Sequence, residues 1–314
     1  MYIFSNILGA FVFDDKFQLA DEILFNSVDD FPKKEVQVQK LKSRHQAAKE
    51  PDKESLKNIL LYFKNKKFYS GLYDKNLKLT KLEVKNSVGE DVLISQSVKS
   101  AEELEKTANI LVKRLREWYE LYNPEFSRSV EGHESFVAQI LESEKEELLK
   151  KINTSPGESF GADLEQENLE PIRSLAQQIY GLYQLRKIQM YYISNLMDVH
   201  CPNTKAVCDA MIAAKLIEHA GSLKRLSEMP SSTIQILGAE KALFRHMKTG
   251  AKSPKHGVII GHPIMAKSPF GMHGRIARSL ADKISIAAKI DYFGGKFIGD
   301  NLRKNLEEKF SGSK

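Results

Sequence analysis

The feature that most constrains the fold is one long apolar stripe at helical spacing. Between Asp163 and His200 apolar residues recur every three or four positions, over roughly ten turns at 3.6 residues per turn. The stripe consists of Ile172, Leu175, Ile179, Leu182, Leu185, Ile188, Tyr192, Leu196 and Val199. A helix of this length with one apolar side must pack along another helix or find a partner.

A second amphipathic segment precedes the stripe and predicts an antiparallel hairpin. Residues 128–152 carry apolar side chains at three- and four-residue steps, and a short breaker at residues 153–161 follows. Two amphipathic helices joined by so short a connection pack antiparallel. We therefore predict a long antiparallel coiled-coil arm over residues 106–202, whose stripe either serves self-association or packs within a compact bundle.

The flanking segments predict a small α/β domain before the arm and a helical domain after it. Apolar alternation at residues 2–13, 77–84 and 91–97 is typical of strands, and residues 54–63 have a helical pattern. After the arm we predict helices at 203–229, capped by Asn203 or Thr204, and at 238–249, 274–290 and 300–310. The predicted fold class is an α+β N-terminal domain followed by a mostly α-helical body, with domains at 1–105, 106–202 and 203–314.

Positive charge is concentrated in one segment. From Ile234 to Ile290 there are ten Lys/Arg and two Asp/Glu, a net charge of +8, whereas the whole chain has a net charge of +6. Such a concentration in a folded segment is typical of a polyanion site, above all for a nucleic-acid phosphate backbone. The first 105 residues instead carry seventeen Lys/Arg and seventeen Asp/Glu, which favours a protein partner there.

The basic segment predicts two cationic helix faces joined by a loop. On the helix at 238–249 three cations share one side, and Leu243, Phe244 and Met247 form an apolar backing. On the helix at 274–290 two arginines lie opposite the inward residues Ile276, Leu280, Ile284 and Ala287. Solvated helix faces usually interleave both charge signs, so the shortage of acids favours a nucleic-acid surface. The candidate RNA-binding residues are Lys241, Arg245, Lys248, Lys252, Lys255, His256, Arg275 and Arg278.

No enzyme motif accompanies this surface, so we predict no catalytic residue, no cofactor and no metal site. The patterns G-x-G-x-x-G, G-x-x-x-x-G-K-[ST], G-x-S-x-G and H-E-x-x-H are all absent. Cys201 and Cys208 have no second Cys/His pair at zinc-ligand spacing. No apolar run approaches ~18–20 residues, so no membrane partner is expected.

Several motifs resemble the Nop domain family. Gly238-Ala-Glu-Lys-Ala-Leu-Phe-Arg245, Lys255-His-Gly257 and Gly274-Arg-Ile-Ala-Arg278 match its signature, as do His219–Leu223, Pro230–Leu237, Trp118-Tyr119 and Pro124-Glu125. The resemblance covers at least residues 110–295. It departs at Lys215 and Lys289, where the family commonly has arginine, so a bidentate contact is not expected there.

The resemblance implies a non-catalytic scaffold of box C/D ribonucleoproteins. In that family the N-terminal domain binds fibrillarin, the S-adenosylmethionine-dependent methyltransferase of RNA 2′-O-methylation. The coiled coil forms a homodimer, and the Nop domain binds a kink-turn guide RNA together with the ribosomal-like protein seated on it. Six candidates carry over as RNA-proximal residues: Lys241, Arg245, Lys248, Lys252, Lys255 and His256. Arg275 and Arg278 carry over as either RNA contacts or structural supports.

Two other functions remain open at this point. The chain could be a splicing-type member that binds a spliceosomal kink-turn RNA, or a generic helical interaction protein whose basic face meets an acidic partner. Its end at Lys314, without the lysine-rich tail of many relatives, favours an archaeal origin or a trimmed chain. The expected location is then cytoplasmic, or nucleolar for a eukaryotic member.

Overall fold

The computed structural model describes residues 1–311 and divides the chain into two compact units. The first unit is Met1–Gly89, and the second begins at Glu90. This corrects the predicted boundary at residue 105, which lies inside one continuous helix, Glu90–Tyr119. Domain boundaries fall in linkers that few contacts cross, and the middle of a helix is not such a linker. Lys314, the predicted end of the last domain, lies outside the described residues.

The first unit is a three-stranded antiparallel sheet with helices on both faces. Its elements are β1 (Tyr2–Asn6), β2 (Gly9–Phe13), β3 (Leu19–Leu24), α1 (Lys34–Arg44), α2 (Lys53–Tyr62) and α3 (Lys66–Asn86). The central strand, β2, is buried along its whole length. Successive side chains of a strand point to opposite faces. Accordingly Phe11 packs with Ile59 of α2, and Val12 packs with Leu41 of α1.

The sequence predicted part of this unit correctly. The strand pattern at residues 2–13 is the hairpin β1–β2, and the helix predicted at 54–63 is α2. The strands predicted at 77–84 and 91–97 are wrong, because those residues lie in α3 and in the helix that begins at Glu90. Short apolar runs match both the strand and the helix period, and only the length of the complete element distinguishes them.

The second unit contains only helices among its described residues. They are α4 (Glu90–Tyr119), α5 (Pro124–Ser129), α6 (His133–Glu142), α7 (Lys145–Lys151), α8 (Gln166–His200), α9 (Pro202–Cys208), α10 (Ala210–Ala220), α11 (Leu223–Glu228), α12 (Ser231–Ile236), α13 (Glu240–Thr249), α14 (Pro263–Ala266), α15 (His273–Tyr292) and α16 (Gly299–Ser311). The predicted fold class, a sheet-containing N-terminal part followed by a mostly helical body, is confirmed. Within residues 1–311 no helix is both long enough and apolar enough to cross a membrane.

Helices α4 and α8 form a long antiparallel pair. Arg186 donates to the Glu105 carboxylate at 3.1 Å, and Tyr183 lies 3.5 Å from the Asn109 side chain. The predicted hairpin is corrected here: the partner of α8 is α4, whereas residues 128–152 form parts of three short helices. Breaks at residues 130–132 and 143–144 divide that segment, so it never becomes one long helix.

The apolar stripe of α8 separates into two sets of residues. Ile172 and Ile179 are buried against α4, as a single stripe predicts. Further along, the buried positions are Tyr183, Ile193 and Met197. The stripe residues Leu185, Ile188, Tyr192 and Val199 are instead 43%, 62%, 40% and 76% exposed. A straight helix has 3.6 residues per turn, so a pattern closer to 3.5 drifts off the buried side over several turns.

The turn after α4 is built by the Pro124-Glu125 motif. The Asn123 side chain accepts a hydrogen bond from the Phe126 backbone N–H at 3.2 Å and so caps α5, which begins at Pro124. The Glu125 carboxylate accepts hydrogen bonds from the Ser159 hydroxyl at 2.9 Å and the Phe160 backbone N–H at 2.8 Å. This motif therefore ties the end of α4 to the segment that leads into α8.

Helix α15 is the centre of the C-terminal part of the second unit. It packs against α9, α11, α12 and α16. The four residues predicted to face inward, Ile276, Leu280, Ile284 and Ala287, are all at most 1% exposed, which confirms that prediction. The inward residues recur at three- and four-residue steps, as a surface helix requires when only one side is buried.

The single helix predicted at 203–229 is wrong, because the segment folds as α9, α10 and α11. Asp209 adopts a φ of 68° between α9 and α10, and Gly221 adopts the left-handed conformation after α10. A left-handed residue ends a helix. Asn203 and Thr204, predicted as caps, lie instead within α9, and both side chains bind Asp291.

The Asp291 carboxylate joins the end of α15 to the beginning of α9. One oxygen accepts hydrogen bonds from the backbone N–H and side-chain amide of Asn203, at 3.0 and 2.8 Å. The other accepts from the backbone N–H and hydroxyl of Thr204, at 2.8 and 2.7 Å. Asn203 is 2% exposed and Thr204 is fully buried, so their donors have no water to replace a lost acceptor.

Replacement of Asp291 by asparagine is expected to destabilise the second unit. Asp291→Asn removes the charge and turns an NH2 group toward two donors, so we expect the free energy of unfolding to fall by about 3 kcal/mol. Urea unfolding followed by circular dichroism measures this change. Asp282→Asn, an exposed substitution on the same helix, is the control and should change stability little. Equal stability of the two variants would contradict the assigned role of Asp291.

His262 is a buried, uncharged histidine beside α9. It is 1% exposed, its Nε2 lies 3.1 Å from the Val207 carbonyl oxygen, and its Nδ1 accepts from the Ile264 backbone N–H at 3.2 Å. These partners assign the proton to Nε2 and leave no site for a second one. Burial lowers the pKa of His262 below its ordinary value of 6.5, although the Val207 carbonyl opposes that effect.

The second unit should therefore lose stability in acid because of His262. Below pH 6.5, the ordinary pKa, the unfolded chain binds a proton at this position that the folded chain does not bind. The free energy of unfolding then falls as pH decreases, by up to about 1.4 kcal/mol per pH unit. Urea unfolding between pH 7.5 and pH 5.5 should show a weaker pH dependence for His262→Gln than for the unmodified chain. The control, Gln178→Ala, replaces an exposed residue that has no titrating group and should retain the full pH dependence.

Candidate nucleic-acid interface

Helix α13 presents three of the predicted cations to solvent. Lys241, Arg245 and Lys248 are all exposed, and the helix ends at Gly250 in the left-handed conformation, as the sequence predicts. No side chain of the three forms an ion pair with another residue of the range 1–311. Lys248 instead places its Nζ 4.6 Å from the centre of the Phe244 ring. These charges are therefore available to a polyanion.

The apolar backing predicted for α13 is wrong. Phe244 is 57% exposed and Met247 is 74% exposed, and no residue of α13 is buried. Leu243 is half-buried, but Phe244 and Met247 meet solvent as the cations of the helix do. Periodicity predicted the two sides correctly, but it could not show that Phe244 and Met247 stay uncovered by the described chain.

Two glycines attach α13 and the following loop to the body. Gly238 has a φ of 87°, and a Cβ there would lie 2.4 Å from a methyl group of Val258. A Cβ on Gly257 would lie 1.9 Å from the Leu237 carbonyl oxygen. The close approach lets Gly257 N–H donate to the Gln235 carbonyl at 2.9 Å. Gly257 is thus required by backbone proximity, and Gly238 by its left-handed φ and the Val258 methyl group.

The loop after α13 lies beside the first turn of α15. The His256 and His273 ring centres are 5.8 Å apart, and the Lys255 Nζ lies 4.7 Å from the centre of the Phe270 ring. Phe270 in turn contacts His273, with ring centres 5.3 Å apart. Burial lowers the pKa of His256, and the neighbouring His273 and Lys255 charges lower it further. The structure therefore brings two of the predicted residues, Lys255 and His256, together with α15.

Arg275 and Arg278 open onto a separate cleft between α12, α15 and α16. The cleft has a volume of about 470 Å³ and is lined by Ser231, Arg275, Arg278, Ser279, Asp282, Lys309 and Phe310. Lys309 donates to the Ser279 hydroxyl at 3.2 Å. Both arginines are exposed, and neither has an ion-pair partner in the part of the chain that the structure describes. Their side chains are thus free to bind an anionic ligand.

The two acids of the basic segment already have partners. Asp282 lies 3.9 Å from Lys283, its neighbour on α15. The Glu240 carboxylate accepts from the Gly238 backbone N–H at 2.7 Å and lies 3.7 Å from His219. Burial raises the pKa of Glu240, but the backbone N–H donors of Glu240 and Gly238 outweigh it and hold the pKa below its usual range. Neither acid consequently neutralises any of the eight candidate residues.

The sequence did not identify Phe270 or Lys309 as members of this surface. Phe270 stands between Pro269 and Gly271, and an aromatic residue in such a turn within a basic segment is the signal that the sequence offers. Lys309 lies in the mixed-charge C-terminal helix, and only the packing of α16 beside α15 brings it to the arginines. Among residues 1–311 no group of three or more His, Cys, Asp or Glu side chains is placed to hold a metal ion.

Together these features describe a protein with three parts: a small sheet-containing unit, a long antiparallel helix pair, and a helical C-terminal part that carries unpaired cations. The family profile described as "Nop: snoRNA binding domain, fibrillarin" matches residues 100–312. The chain belongs to the Nop family.

Curated relatives come from archaea and eukaryotes. The chain is 38% identical over 264 residues to an uncharacterised NOP5 family protein of Methanocaldococcus jannaschii. This alignment covers 79% of this chain and 64% of the relative. It is 34% identical over 244 residues to nucleolar protein 56 of Schizosaccharomyces pombe, covering 70% of this chain and 49% of the relative. It is 32% identical over 245 residues to nucleolar protein 58 of Aspergillus fumigatus, covering 70% and 42%. The chain thus spans between two fifths and two thirds of these relatives.

A solved structure also resembles the chain over its length. A chain of a crystal structure of a fibrillarin/Nop5p complex is 22% identical, with a TM-score of 0.45. The match covers 99% of this chain and 100% of that chain.

Proposed function

We propose that this protein is a non-catalytic scaffold of a box C/D ribonucleoprotein that guides RNA 2′-O-methylation. One observation carries the proposal: the unpaired cations of α13, the following loop and α15 lie in the segment that the snoRNA-binding family profile matches. In this proposal a kink-turn guide RNA is bound by the eight candidates: Lys241, Arg245, Lys248, Lys252, Lys255, His256, Arg275 and Arg278. The similarity to an archaeal relative favours a cytoplasmic location.

The open apolar side of α13 supports a protein partner beside the RNA. Phe244 and Met247 are exposed on the same helix as Lys241 and Arg245. An apolar side next to a cationic side suits a composite surface made of RNA and protein, because each side then meets a chemically matched partner. The proposed partner is the kink-turn-binding, ribosomal-like protein.

The first unit is proposed to bind the methyltransferase fibrillarin, but the charge argument for it changes. Residues 1–89 carry sixteen Lys/Arg and twelve Asp/Glu, so the unit has a net charge of +4 and is not neutral. Support comes instead from the outer side of α3, where Tyr69, Tyr73, Leu77 and Val84 are between 43% and 62% exposed. Exposed apolar side chains at three- to four-residue multiples are typical of a helix that binds a protein groove.

Self-association is proposed to use the exposed part of the α8 stripe. Leu185, Ile188, Tyr192 and Val199 lie at steps of three, four and seven residues, which is the spacing of a coiled-coil seam. Because α4 already covers the other side of α8, this second seam is available to another protomer. A homodimer would place two methyltransferases and two RNA sites on one scaffold.

Binding of box C/D RNA should require the kink-turn protein and depend on individual lysines. In a gel-shift titration, tight binding is expected only when the RNA already carries that protein, because the surface is composite. Lys241→Ala or Lys255→Ala should flatten the dependence of log affinity on log salt by about 0.7–0.9 each, one phosphate contact.

Lys304→Ala is the control for these lysine variants. Lys304 is an exposed lysine of α16, within 3.9 Å of Glu308, and it does not line the cleft. Its variant should keep the salt dependence of the unmodified chain. Equal affinity with and without the kink-turn protein would contradict the composite surface, and an unchanged slope would remove that lysine from the RNA site.

A charge placed in the exposed stripe should dissociate the proposed dimer. Ile188 is 62% exposed, so Ile188→Glu should leave the fold intact while placing a carboxylate in each half of a two-fold seam. Multi-angle light scattering after size-exclusion chromatography should show a monomer. Asn301→Glu introduces the same charge at an exposed position on a different helix, α16, and should remain dimeric. A monomeric unmodified chain would refute this interface.

A further inference from the structure

Phe270 is an aromatic side chain that the fold itself does not use. It is 71% exposed in the short turn before α15, although phenylalanine gains stability chiefly by burial. Its neighbours are Lys255, whose Nζ lies 4.7 Å from the ring centre, and His273, whose ring centre is 5.3 Å away. With most of its surface open, the ring has room for one further flat ligand.

The surroundings of this ring are polar and cationic. His256 contacts His273 at 5.8 Å between ring centres, so four side chains, those of Lys255, His256, Phe270 and His273, form one cluster. The His273 Nε2 lies 3.1 Å from the Ser268 carbonyl, while its buried Nδ1 has no hydrogen-bond partner among the described residues. The cluster thus combines an open aromatic ring, an ammonium group and an unused ring nitrogen.

We propose that Phe270 is a stacking platform for one unpaired nucleobase of the bound RNA, with the Lys255 ammonium on the adjoining phosphate. The inference rests on the proposed RNA-binding function and adds a base-binding subsite to it. Every base has a π face that can stack on an aromatic ring, and the attached phosphate supplies the charge that a lysine beside the ring attracts. His256, at the edge of the same cluster, is placed to hydrogen-bond the base or its sugar.

A nucleotide fits this cluster better than an apolar protein surface does. A protein side chain that covered Phe270 would also have to desolvate Lys255, which has no carboxylate partner in the described chain. A stacked nucleotide avoids this cost, because its base covers the ring and its phosphate pairs with the lysine. On α13 the exposed Phe244 also has a lysine Nζ, that of Lys248, 4.6 Å from its ring centre. It has no histidine ring contact among the described residues, and the exposed Met247 lies on the same helix, so protein docking is assigned to that helix.

Stacking and phosphate binding can be separated by their salt dependence. Phe270→Ala should weaken binding of the RNA–kink-turn protein complex by roughly fivefold or more, while the slope of log affinity against log salt stays unchanged. Lys255→Ala should change that slope. Phe270→Trp should restore the affinity, because indole also presents a flat ring, and Phe293→Ala, at a 78% exposed ring after α15, is the matched control.

A second measurement identifies the base. A 2-aminopurine placed in turn at each unpaired RNA position should show, at one position, fluorescence quenching by the unmodified chain and by Phe270→Trp but not by Phe270→Ala. Unchanged affinity and unchanged fluorescence for Phe270→Ala would overturn the platform. Weaker binding of that variant to the kink-turn protein without RNA would overturn it as well, because the ring would then contact protein.

The outcomes distinguish the platform from the function on which it rests. If the unmodified chain fails to bind the RNA–kink-turn protein complex, the proposed function is wrong. If the unmodified chain binds and Phe270→Ala binds equally well, only the platform is wrong. Circular dichroism of each variant checks that the fold is intact, and an exposed turn position makes loss of the fold unexpected.

Discussion

The arrangement of the second unit depends on the hydrogen bonds that the Asp291 carboxylate accepts. Asp291 is close to the end of α15, and its four donors belong to Asn203 and Thr204 at the beginning of α9, directly after α8. The Asn203 side-chain oxygen in turn accepts from the Ile298 backbone N–H at 2.7 Å, which fixes the segment before α16. One half-buried carboxylate thus connects the long helix pair, the helix that bears the arginines and the helix that completes their cleft.

The candidate interface has the opposite character. Helix α13 and its loop are attached by backbone contacts at Gly238 and Gly257 and bury no side chain of α13. Because α13 and its loop are exposed, they can present cations, an aromatic ring and an apolar side to a ligand. The described chain leaves these cations without ion-pair partners. A segment that buries so little contributes little to stability, while close backbone approach at Gly257 and a left-handed φ at Gly238 still require glycine at these two positions.

Particular elements show how far sequence reasoning reached. The inward set Ile276, Leu280, Ile284 and Ala287 was predictable, because one buried side imposes the helical period on α15. The partner of α8 was not: residues 128–152 have helical periodicity, and their division into short helices depends on turns whose local signals are weak. The sequence also could not predict the exposure of Phe244 or the contact of Lys255 with the Phe270 ring, because both depend on which residues pack nearby in space.

The sequence by itself determined that the chain is mostly helical after a short sheet, that its cations gather in one segment, and that this segment carries the Nop signature. These properties follow from the order of residues along the chain. The tertiary structure alone decided which helix pairs with α8, where the first unit ends, which cations remain unpaired, and that Lys309 joins Arg275 and Arg278 at one cleft. Such properties arise from contacts between residues far apart in sequence, and helical or strand periodicity carries no information about those contacts.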